Sequence, residues 1–306
     1  MVTNQRILVI FPGALGDLIC ALPAIEALAT RHRDCEVELM ANSDLAEFAV
    51  DRTLVRAGHS IARREVAQLF EGSNQAIEEA ARFFSRFERI YSFFGSRDQS
   101  FRRALLASAS GAVDFYPFRP KGDGHVREAY LASVLEVVGQ QVAHSACPSI
   151  RLSESDLRAA GQILPRHRLS PGGFVLIAPG SGSTRKNWPI DNYLELARTL
   201  SMAKVFLLGP AEAELGRLLR TSKADVLQDL PLGIVAAVLK SCAWYVGNDS
   251  GISHLAGAVG ARGIALFGPT APSRWRPWGS LEIVRANPIE CLPVARVADL
   301  LALIRA

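Results

Sequence analysis

Residues 177–189, IAPGSGSTRKNWP, join an apolar run to a turn of small and hydroxylated residues that carries adjacent Arg185 and Lys186. Residues 174–178 have the composition of a buried strand, and residues 190–200 have apolar side chains at helical spacing. The stretch therefore predicts a turn that leads from a strand into a helix N-terminus. Such a turn suits a phosphate, because small residues let the backbone approach a ligand and the first N–H groups of a helix lack partners. An ordinary loop with a solvated Arg-Lys pair fits this stretch equally well.

A second strand, turn and helix are predicted near the start of the sequence. Residues 6–11, RILVIF, have the composition of a buried strand, and PGALGD at residues 12–17 leads into apolar residues at helical spacing. The turn lacks the third glycine of a dinucleotide-binding fingerprint, which disfavours a nicotinamide cofactor. Gly16 precedes Asp17 at the predicted helix start, where a carboxylate can cap the helix and complement its dipole. This capping role is the plain alternative to a catalytic one.

Strands and helices alternate along the whole sequence, which predicts an α/β fold with parallel sheets. Further strands are predicted at residues 36–40, 89–94, 112–116, 204–208, 244–246, 263–267 and 281–284. A chain of 306 residues exceeds the usual domain size of roughly 100–200 residues, so we expect two domains. Residues 140–151 show no clear period and mark the expected boundary. The predicted domains are residues 1–150 and 151–306, and packing of the C-terminal helix toward the first domain is left open.

Another polar turn, GNDSGISH at residues 247–254, lies between a predicted strand and a helix of small residues. Ser250 and Gly251 are expected at the N-terminus of that helix, where their N–H groups suit a diphosphate. Asp249 suits sugar hydroxyls instead, because a carboxylate accepts hydrogen bonds and does not pair with phosphate. His254 lies one turn into the helix, where simple packing explains it.

Two further turns in the second half follow predicted strands. Glu212 lies just past the strand at residues 204–208, where it could bind a ribose diol or complement the first turn of a helix. Thr270 lies in the turn FGPT and offers a hydroxyl beside exposed backbone. In the first half, arginines at positions 97, 102, 103, 119 and 127 fall near the ends of predicted elements. Some of these guanidinium groups could converge on an anionic acceptor, and others are expected to be solvated.

The composition predicts a cytosolic protein without a metal or disulfide framework. No apolar run approaches the ~18–20 residues that span a bilayer, and the N-terminus lacks a signal peptide. The five cysteines are scattered without zinc-ligand spacing. Residues 1–150 carry 16 Lys and Arg against 18 Asp and Glu, whereas the remainder carries 18 against 12, so the basic excess lies in the second half. This excess suits an anionic small ligand, and the absence of an interleaved aromatic and basic tract disfavours nucleic acid.

In this order, the motifs resemble glycosyltransferase family 9, the heptosyltransferases that build the lipopolysaccharide inner core. The matching pieces are Gly16-Asp17 before ALPAI, PGSGSTRKNWP at residues 179–189, Gly209 with Glu212, NDSGISHLA at 248–256 and FGPT at 267–270. They span most of the chain, and the second half is the stronger match. The resemblance implies a GT-B fold, in which two Rossmann-like domains with parallel sheets face a central cleft. It implies acceptor binding by residues 1–150 and nucleotide-sugar binding by residues 151–306.

The resemblance also implies metal-independent, inverting transfer of a heptose from an ADP-activated donor to a sugar hydroxyl of an anionic acceptor, such as the lipopolysaccharide inner core. No Asp-x-Asp motif occurs, in agreement with metal independence, and no cofactor is expected. By resemblance, Asp17 is the base, Thr184 and Lys186 contact the diphosphate, Glu212 contacts the ribose, and Asp249 contacts the donor sugar. The other candidate substrate-binding residues are Gly16, Ser181, Gly182, Ser183, Ser250, Gly251, His254 and Thr270.

Two other functions stay open at this point. One is a GT-B nucleotide-sugar epimerase, which needs no acceptor, and the other is a non-catalytic nucleotide-sugar-binding protein. The expected partners are an ADP-sugar donor and an anionic sugar or lipid-linked acceptor. Peripheral contact with the inner face of the cytoplasmic membrane is left open, and no nucleic-acid partner is expected.

Overall fold

A computed structural model describes residues 5–122, 124–138 and 150–305 of the chain. The chain divides into two compact units, Met1–Arg151 and Leu152–Ala306, and each unit is built on one parallel sheet. The expected α/β class with parallel sheets is therefore confirmed. Most of the expected boundary segment, residues 139–149, lies outside the described residues.

The first unit contains a five-stranded sheet in the order β3-β2-β1-β4-β5. Its elements are β1 (Gln5–Ile10), α1 (Leu15–Arg31), β2 (Cys35–Ala41), α2 (Ser43–Ala49), β3 (Val55–Ser60), α3 (Arg64–Glu71), α4 (Asn74–Phe84), β4 (Arg89–Ser92), α5 (Gln99–Ser108), β5 (Ala112–Phe115) and α6 (Val126–Val138). Apolar side chains of α3, α4 and α5 pack on one face of this sheet, and α1 packs against α6. The central strand β1 is fully buried from Ile7 to Ile10, as its apolar sequence predicts.

The second unit contains a six-stranded sheet in the order β11-β10-β9-β6-β7-β8. Its elements are α7 (Glu154–Arg166), β6 (Phe174–Ala178), α8 (Ile190–Thr199), β7 (Ala203–Leu208), α9 (Ala213–Thr221), β8 (Val226–Gln228), α10 (Leu232–Ser241), β9 (Trp244–Asn248), α11 (Gly251–Ala258), β10 (Gly263–Phe267), α12 (Pro272–Trp275), β11 (Leu281–Arg285) and α13 (Val294–Arg305). The C-terminal helix α13 packs against α8 and β10 of its own unit. Helix α7 packs against α10.

Two strands, β3 and β8, were not predicted from the sequence, and both lie at the edge of a sheet. Strand β3 reads VRAGHS and contains one large apolar residue among polar and small ones, whereas β8 has only three residues. An edge strand needs little apolar surface because one side of it has no neighbouring strand. The hydrophobic signal that identified the central strands is therefore weak in these two.

The turn after β6 differs from its prediction in one respect. It does not run directly into the N-terminus of α8, because a separate 3-10 turn, Thr184–Lys186, lies between them. The N–H of Asn187 closes this turn on the Thr184 carbonyl at 3.0 Å, and α8 begins only after Pro189. The buried side chain of Trp188 anchors the chain between the turn and the helix. Residues 181–186 are thus presented by an irregular loop and not by a helix start.

Within the described part of the chain, no helix is long and apolar enough to cross a membrane.

Candidate functional site

Four loops that carry predicted site residues leave one edge of the second sheet. Strands β10, β9, β6 and β7 are neighbours in this order and all run parallel, so their carboxyl ends lie side by side. The loops after them contain Thr270, Asp249, Lys186 and Glu212 respectively. In open parallel sheets, this edge is where ligands bind. The topology therefore brings together the predicted residues of the second half.

The most direct contact between these loops joins Lys186 to Asp249. The ammonium of Lys186 donates to Asp249 Oδ2 at 2.8 Å, and the Asp249 carboxylate is almost completely buried. The Asp249 backbone N–H donates to the Leu266 carbonyl at 2.8 Å, which fixes the acidic residue at the sheet edge. An ammonium has three N–H donors, and the bond to Asp249 uses one of them. Lys186 can therefore bind an anionic ligand while it remains paired with Asp249.

The loop that carries Lys186 is braced from inside by Ser181. The Ser181 hydroxyl lies within donating distance of the Ser183 carbonyl, at 2.8 Å, and of Asn187 Oδ1, at 2.6 Å. It also accepts a bond from the Ser183 N–H at 3.2 Å. Gly182, at the tip, is exposed, and a Cβ added there would meet no atom within 4 Å. The Ser181 side chain thus holds the loop, and Gly182 leaves open space above it.

Glu212 lies beside this loop because two glycines make room for its carboxylate. Glu212 Oε2 accepts a bond from the Gly209 N–H at 2.8 Å, inside the short turn after β7. A Cβ added to Gly180 would lie only 2.3 Å from Glu212 Oε1, so any side chain there would displace the carboxylate. The predicted turn-capping role of Glu212 is therefore present in the structure. Its second oxygen faces the loop that carries Lys186.

The start of α11 has the predicted geometry of a helix N-terminus. Ser250 is its N-cap, with the hydroxyl oxygen accepting a bond from the Ser253 N–H at 3.3 Å, and Gly251 is the first helical residue. Because the Ser250 hydroxyl caps the helix, the backbone N–H groups are the part of this turn suited to an anion. His254 is buried one turn into the helix, as the sequence suggested.

The turn after β10 approaches the Lys186 loop through backbone. A Cβ added to Gly268 would lie 3.5 Å from the Arg185 carbonyl oxygen. Thr270, two residues later, is partly exposed. This turn therefore borders the same edge, and Thr270 can offer its hydroxyl there.

In the first unit, Asp17 lies at the start of α1 with one oxygen in use and one without a partner. Its Oδ2 accepts from the Ala14 N–H at 3.3 Å and lies 3.4 Å from Arg119 Nη2. Its Oδ1 is buried and has no hydrogen-bond partner among the residues that the structure describes. A buried carboxylate oxygen without a donor is costly, and such groups call for a functional explanation. The capping role is present in the structure, and the acceptor capacity of the second carboxylate oxygen is unused by the described residues.

Sequence reasoning grouped Arg119 with four other arginines and did not pair it with Asp17. Only the fold brings these residues together, because they are 102 positions apart in the chain. Asn248 was also missed as a site residue, although it directly precedes Asp249. The available signal was an amide side chain at the end of a strand that is buried from its second residue onward, since a buried amide needs hydrogen-bond partners.

The clearest pKa shift of an acidic residue lies away from these two places. Burial opposes ionisation of Glu38 and by itself would raise its pKa. The hydrogen bond to His59 at 2.6 Å and the nearby charges of His59, Arg6 and Arg86 stabilise the carboxylate more strongly. The Glu38 pKa therefore lies below its ordinary value. In the second unit, burial raises the pKa of Tyr193 on helix α8. Tyr193 is therefore a neutral donor at physiological pH. Among the described residues, no group of three or more His, Cys, Asp or Glu side chains is arranged to hold a metal ion.

Comparison with known sequences gives one family. Glycosyltransferase family 9 (heptosyltransferase) matches residues 121–303, which is well over half of the chain. Lipopolysaccharide heptosyltransferase 1 of Escherichia coli strain K12 is 27% identical over 146 residues, covering 46% of this chain and 46% of that protein. The chain thus spans about half the length of the curated relatives it matches.

Comparison with solved structures covers almost the whole chain. A glycosyl transferase family 9 protein from Veillonella parvula DSM 2008 superposes with a TM-score of 0.77 at 18% identity, covering 99% of both chains. The Escherichia coli heptosyltransferase WaaC with ADP superposes with a TM-score of 0.73 at 17% identity, covering 98% of this chain and 99% of that one. These likenesses confirm the predicted GT-B fold class.

Proposed function

Because the chain belongs to glycosyltransferase family 9, we propose that it is a glycosyltransferase that moves a heptose from an ADP-activated donor to a sugar hydroxyl, with inversion and without a metal ion. The predicted family resemblance is confirmed by the match over residues 121–303. The donor proposal is supported by a structural neighbour described with ADP and by another described with ADP-2-deoxy-2-fluoro heptose. In this proposal the second unit binds the nucleotide sugar, and the first binds the acceptor.

The observation that carries the proposal is the Lys186–Asp249 contact at the carboxyl edge of the second sheet. It places a cation for a diphosphate beside a carboxylate for sugar hydroxyls, which are the two kinds of group that a nucleotide-sugar donor presents. The remaining Lys186 donors stabilise the diphosphate as the glycosidic bond breaks and negative charge grows on the leaving oxygen. Asp249 accepts hydrogen bonds from the donor sugar.

The neighbouring loops complete the proposed donor site. Glu212 accepts bonds from the ribose hydroxyls through the oxygen that faces Gly180. The open space above Gly182 lets the diphosphate approach the loop backbone, and the hydroxyls of Thr184 and Thr270 supply further donors. At the start of α11, the N–H groups of Ser250 and Gly251 provide the partial positive charge of a helix N-terminus.

Asp17 is the proposed general base. Inverting transfer requires removal of the acceptor hydroxyl's proton as that oxygen attacks the anomeric carbon from the face opposite the diphosphate. Asp17 Oδ1 is suited to this step because it has no hydrogen-bond partner among the described residues, while Oδ2 stays anchored to the Ala14 N–H. Proton transfer can be concerted with C–O bond formation, so a weakly basic carboxylate is sufficient once the attacking oxygen becomes acidic.

The proposed acceptor is an anionic sugar such as the lipopolysaccharide inner core. The curated relatives are named as lipopolysaccharide or lipooligosaccharide heptosyltransferases, which supports this class. Arg119, beside the proposed base, offers a guanidinium that can pair with a carboxylate or phosphate of the acceptor. A lipid-linked acceptor would place the reaction at the cytoplasmic face of the membrane.

The first test is a thermal-shift panel of ADP, ADP-sugars and the matching UDP compounds. A ligand at about 100 times its dissociation constant adds about 2.7 kcal/mol to the stability of the folded state, so a true donor gives a clear shift. We expect ADP-heptose and ADP to raise the melting temperature and UDP compounds to leave it unchanged. The opposite ranking would overturn the ADP-heptose assignment.

The second test is turnover of the stabilising nucleotide sugar with and without a lipopolysaccharide-core acceptor. We expect a transferred sugar of inverted anomeric configuration, read by nuclear magnetic resonance, only when the acceptor is present. Conversion of the nucleotide sugar without an acceptor would instead indicate an epimerase. Tight binding without transfer or hydrolysis would indicate a binding protein.

A further inference from the structure

The side chain of Asn248 contacts both ends of the loop that carries Lys186. We name residues 179–188 the donor loop. Asn248 Nδ2 donates to the carbonyl of Pro179, the first residue of the loop, at 2.6 Å. Asn248 Oδ1 accepts from the N–H of Trp188, the last residue, at 3.0 Å. One amide side chain therefore closes the donor loop at both ends.

The hydrogen-bonding capacity of this amide is fully used. Its Oδ1 also accepts from the Tyr193 hydroxyl at 2.9 Å, and its Nδ2 lies 3.4 Å from Asn187 Oδ1. An amide side chain has two N–H donors and two acceptor lone pairs, so these four contacts account for all of them. Asn248 is completely buried, which means that water cannot replace any of these bonds in the folded protein.

The network continues from Asn248 into the middle of the donor loop. Asn187 Oδ1 lies 2.6 Å from the Ser181 hydroxyl, and that hydroxyl accepts the Ser183 N–H. The following residue, Asp249, receives the Lys186 ammonium. The end of β9 thus holds the donor loop at its two ends through Asn248 and at its basic side chain through Asp249.

We propose that Asn248 is a positioning residue for the donor site, an inference that rests on the proposed function. It holds the donor loop over the sheet edge so that Lys186 lies beside Asp249 before a nucleotide binds. Without the amide, the buried Pro179 carbonyl and Trp188 N–H lose their partner, and the loop can satisfy them only by moving toward water. A donor that binds this protein must then reorder the loop, and the cost of that ordering lowers affinity.

The test compares Asn248→Ala with Tyr193→Phe. Tyr193 lies on α8, outside the donor loop, and its hydroxyl donates to the same oxygen of Asn248. Phenylalanine removes one buried hydrogen bond while both contacts to the loop ends stay in place. Both variants are expected to melt at a lower temperature than the natural protein, so thermal stability alone does not separate a positioning role from a structural one.

Two local measurements, both made well below the melting temperatures, distinguish a positioning role of Asn248 from a purely structural one. Hydrogen–deuterium exchange of residues 180–187 is expected to be at least about tenfold faster in Asn248→Ala and unchanged in Tyr193→Phe, because only the first change opens the loop locally. The dissociation constant of ADP is expected to rise at least about tenfold in Asn248→Ala alone, which corresponds to about 1.4 kcal/mol.

Asn248→Leu keeps the test decisive if Asn248→Ala does not fold. Leucine is similar in size to asparagine and leaves no large cavity, but it offers neither a donor to the Pro179 carbonyl nor an acceptor to the Trp188 N–H, so it is expected to open both ends of the loop. Folded Asn248 variants with the exchange rate and ADP affinity of the natural protein would overturn the proposal. If the natural protein itself does not bind ADP, the proposal that ADP-heptose is the donor is wrong. The comparison of hydrogen–deuterium exchange rates still decides whether Asn248 holds the loop.

Discussion

Lys186 and Asp249, 63 positions apart in the chain, form an ion pair of 2.8 Å at the carboxyl edge of the second sheet. The Asp249 side chain is 5% exposed and the Lys186 side chain 32%, so the carboxylate is shielded from water while part of the lysine side chain is accessible. A carboxylate buried this deeply requires a cation, whereas the cation can still bind a second anion. In the proposed function, the pair holds a cation in place for a diphosphate before any ligand binds.

Replacing Lys186 with alanine is expected to weaken ADP binding and to lower kcat/KM. In the proposed mechanism, the ammonium stabilises a diphosphate whose charge grows as the glycosidic bond breaks, and one such group contributes about 2–4 kcal/mol to transition-state stabilisation. Steady-state kinetics and an ADP titration measure the two effects. Arg185→Ala is the matched control, because Arg185 is adjacent and exposed and no salt bridge to it is found among the described residues. Equal kinetic losses in the two variants would refute a specific role for Lys186.

Replacing Gly182 with valine is expected to lower donor affinity without lowering stability. A Cβ at Gly182 meets no protein atom within 4 Å, so the added side chain has room in the ligand-free protein. It would occupy the space through which a diphosphate approaches the loop. The melting temperature and the ADP dissociation constant together check this prediction.

Gly180→Ala provides the contrasting case in the same loop. Its Cβ would lie 2.3 Å from Glu212 Oε1, so the variant is expected to displace the carboxylate. It should therefore lower adenosine-nucleotide affinity and also the melting temperature. Normal donor affinity in Gly182→Val would mean that the open space above the loop is not used by the ligand.

The fold and much of the candidate site could be predicted because they rest on local patterns. Central strands such as β6 are continuous apolar runs, and parallel strands put their following loops at one edge. The N-cap role of Ser250 also follows from local sequence. These features need only the residues within one strand, turn and helix.

The features that could not be predicted depend on contacts between distant residues. The Lys186–Asp249 pair, the Asp17–Arg119 pair and the Asn248 contacts each join segments at least 55 positions apart. No periodicity encodes which partner a buried amide or carboxylate will meet. Helix α8 begins at Ile190, as its apolar spacing predicts, whereas the 3-10 turn at Thr184–Lys186 was missed because three residues are too few to show a period.

Replacing Glu38 with glutamine is expected to destabilise the first unit at neutral pH and to have little effect in acid. The Glu38 pKa lies below its ordinary value of 4.5 in the folded protein, although burial opposes ionisation, because His59, Arg6 and Arg86 stabilise the carboxylate. A lowered folded pKa adds stability that is complete above the unfolded pKa and is lost as the pH falls through the folded pKa.

Urea unfolding of Glu38→Gln and the natural protein, at about pH 6 and about pH 3.5, measures this difference. We expect a loss of about 1.5–3 kcal/mol at the higher pH, the scale of a buried hydrogen bond to a charged group. The difference between the two proteins should become smaller at the lower pH, because the contribution of the carboxylate is lost as the pH falls through the folded pKa. A difference that is the same at both pH values would show that Glu38 acts through shape and not through charge.

Replacing Asp17 with asparagine is expected to remove catalysis while the protein stays folded. Asparagine keeps an oxygen that can accept the Ala14 N–H, so the start of α1 should survive. It cannot take a proton from the acceptor, and turnover should fall by about 10²–10⁴-fold, the usual contribution of general acid–base catalysis. Circular dichroism, an ADP titration and kcat are the three measurements, and only kcat should change.

Arg119→Ala is the control that separates the base from its ion pair. It removes the guanidinium that lies 3.4 Å from Asp17 Oδ2, and it leaves the carboxylate and its partnerless Oδ1 in place. Because the Arg119 side chain is 61% exposed, its loss should cost little stability and should raise KM for an anionic acceptor more than it lowers kcat.

Near-normal kcat in a folded Asp17→Asn variant would exclude Asp17 as the base. Loss of folding in that variant would instead assign Asp17 to helix capping, the role that its bond to Ala14 already shows.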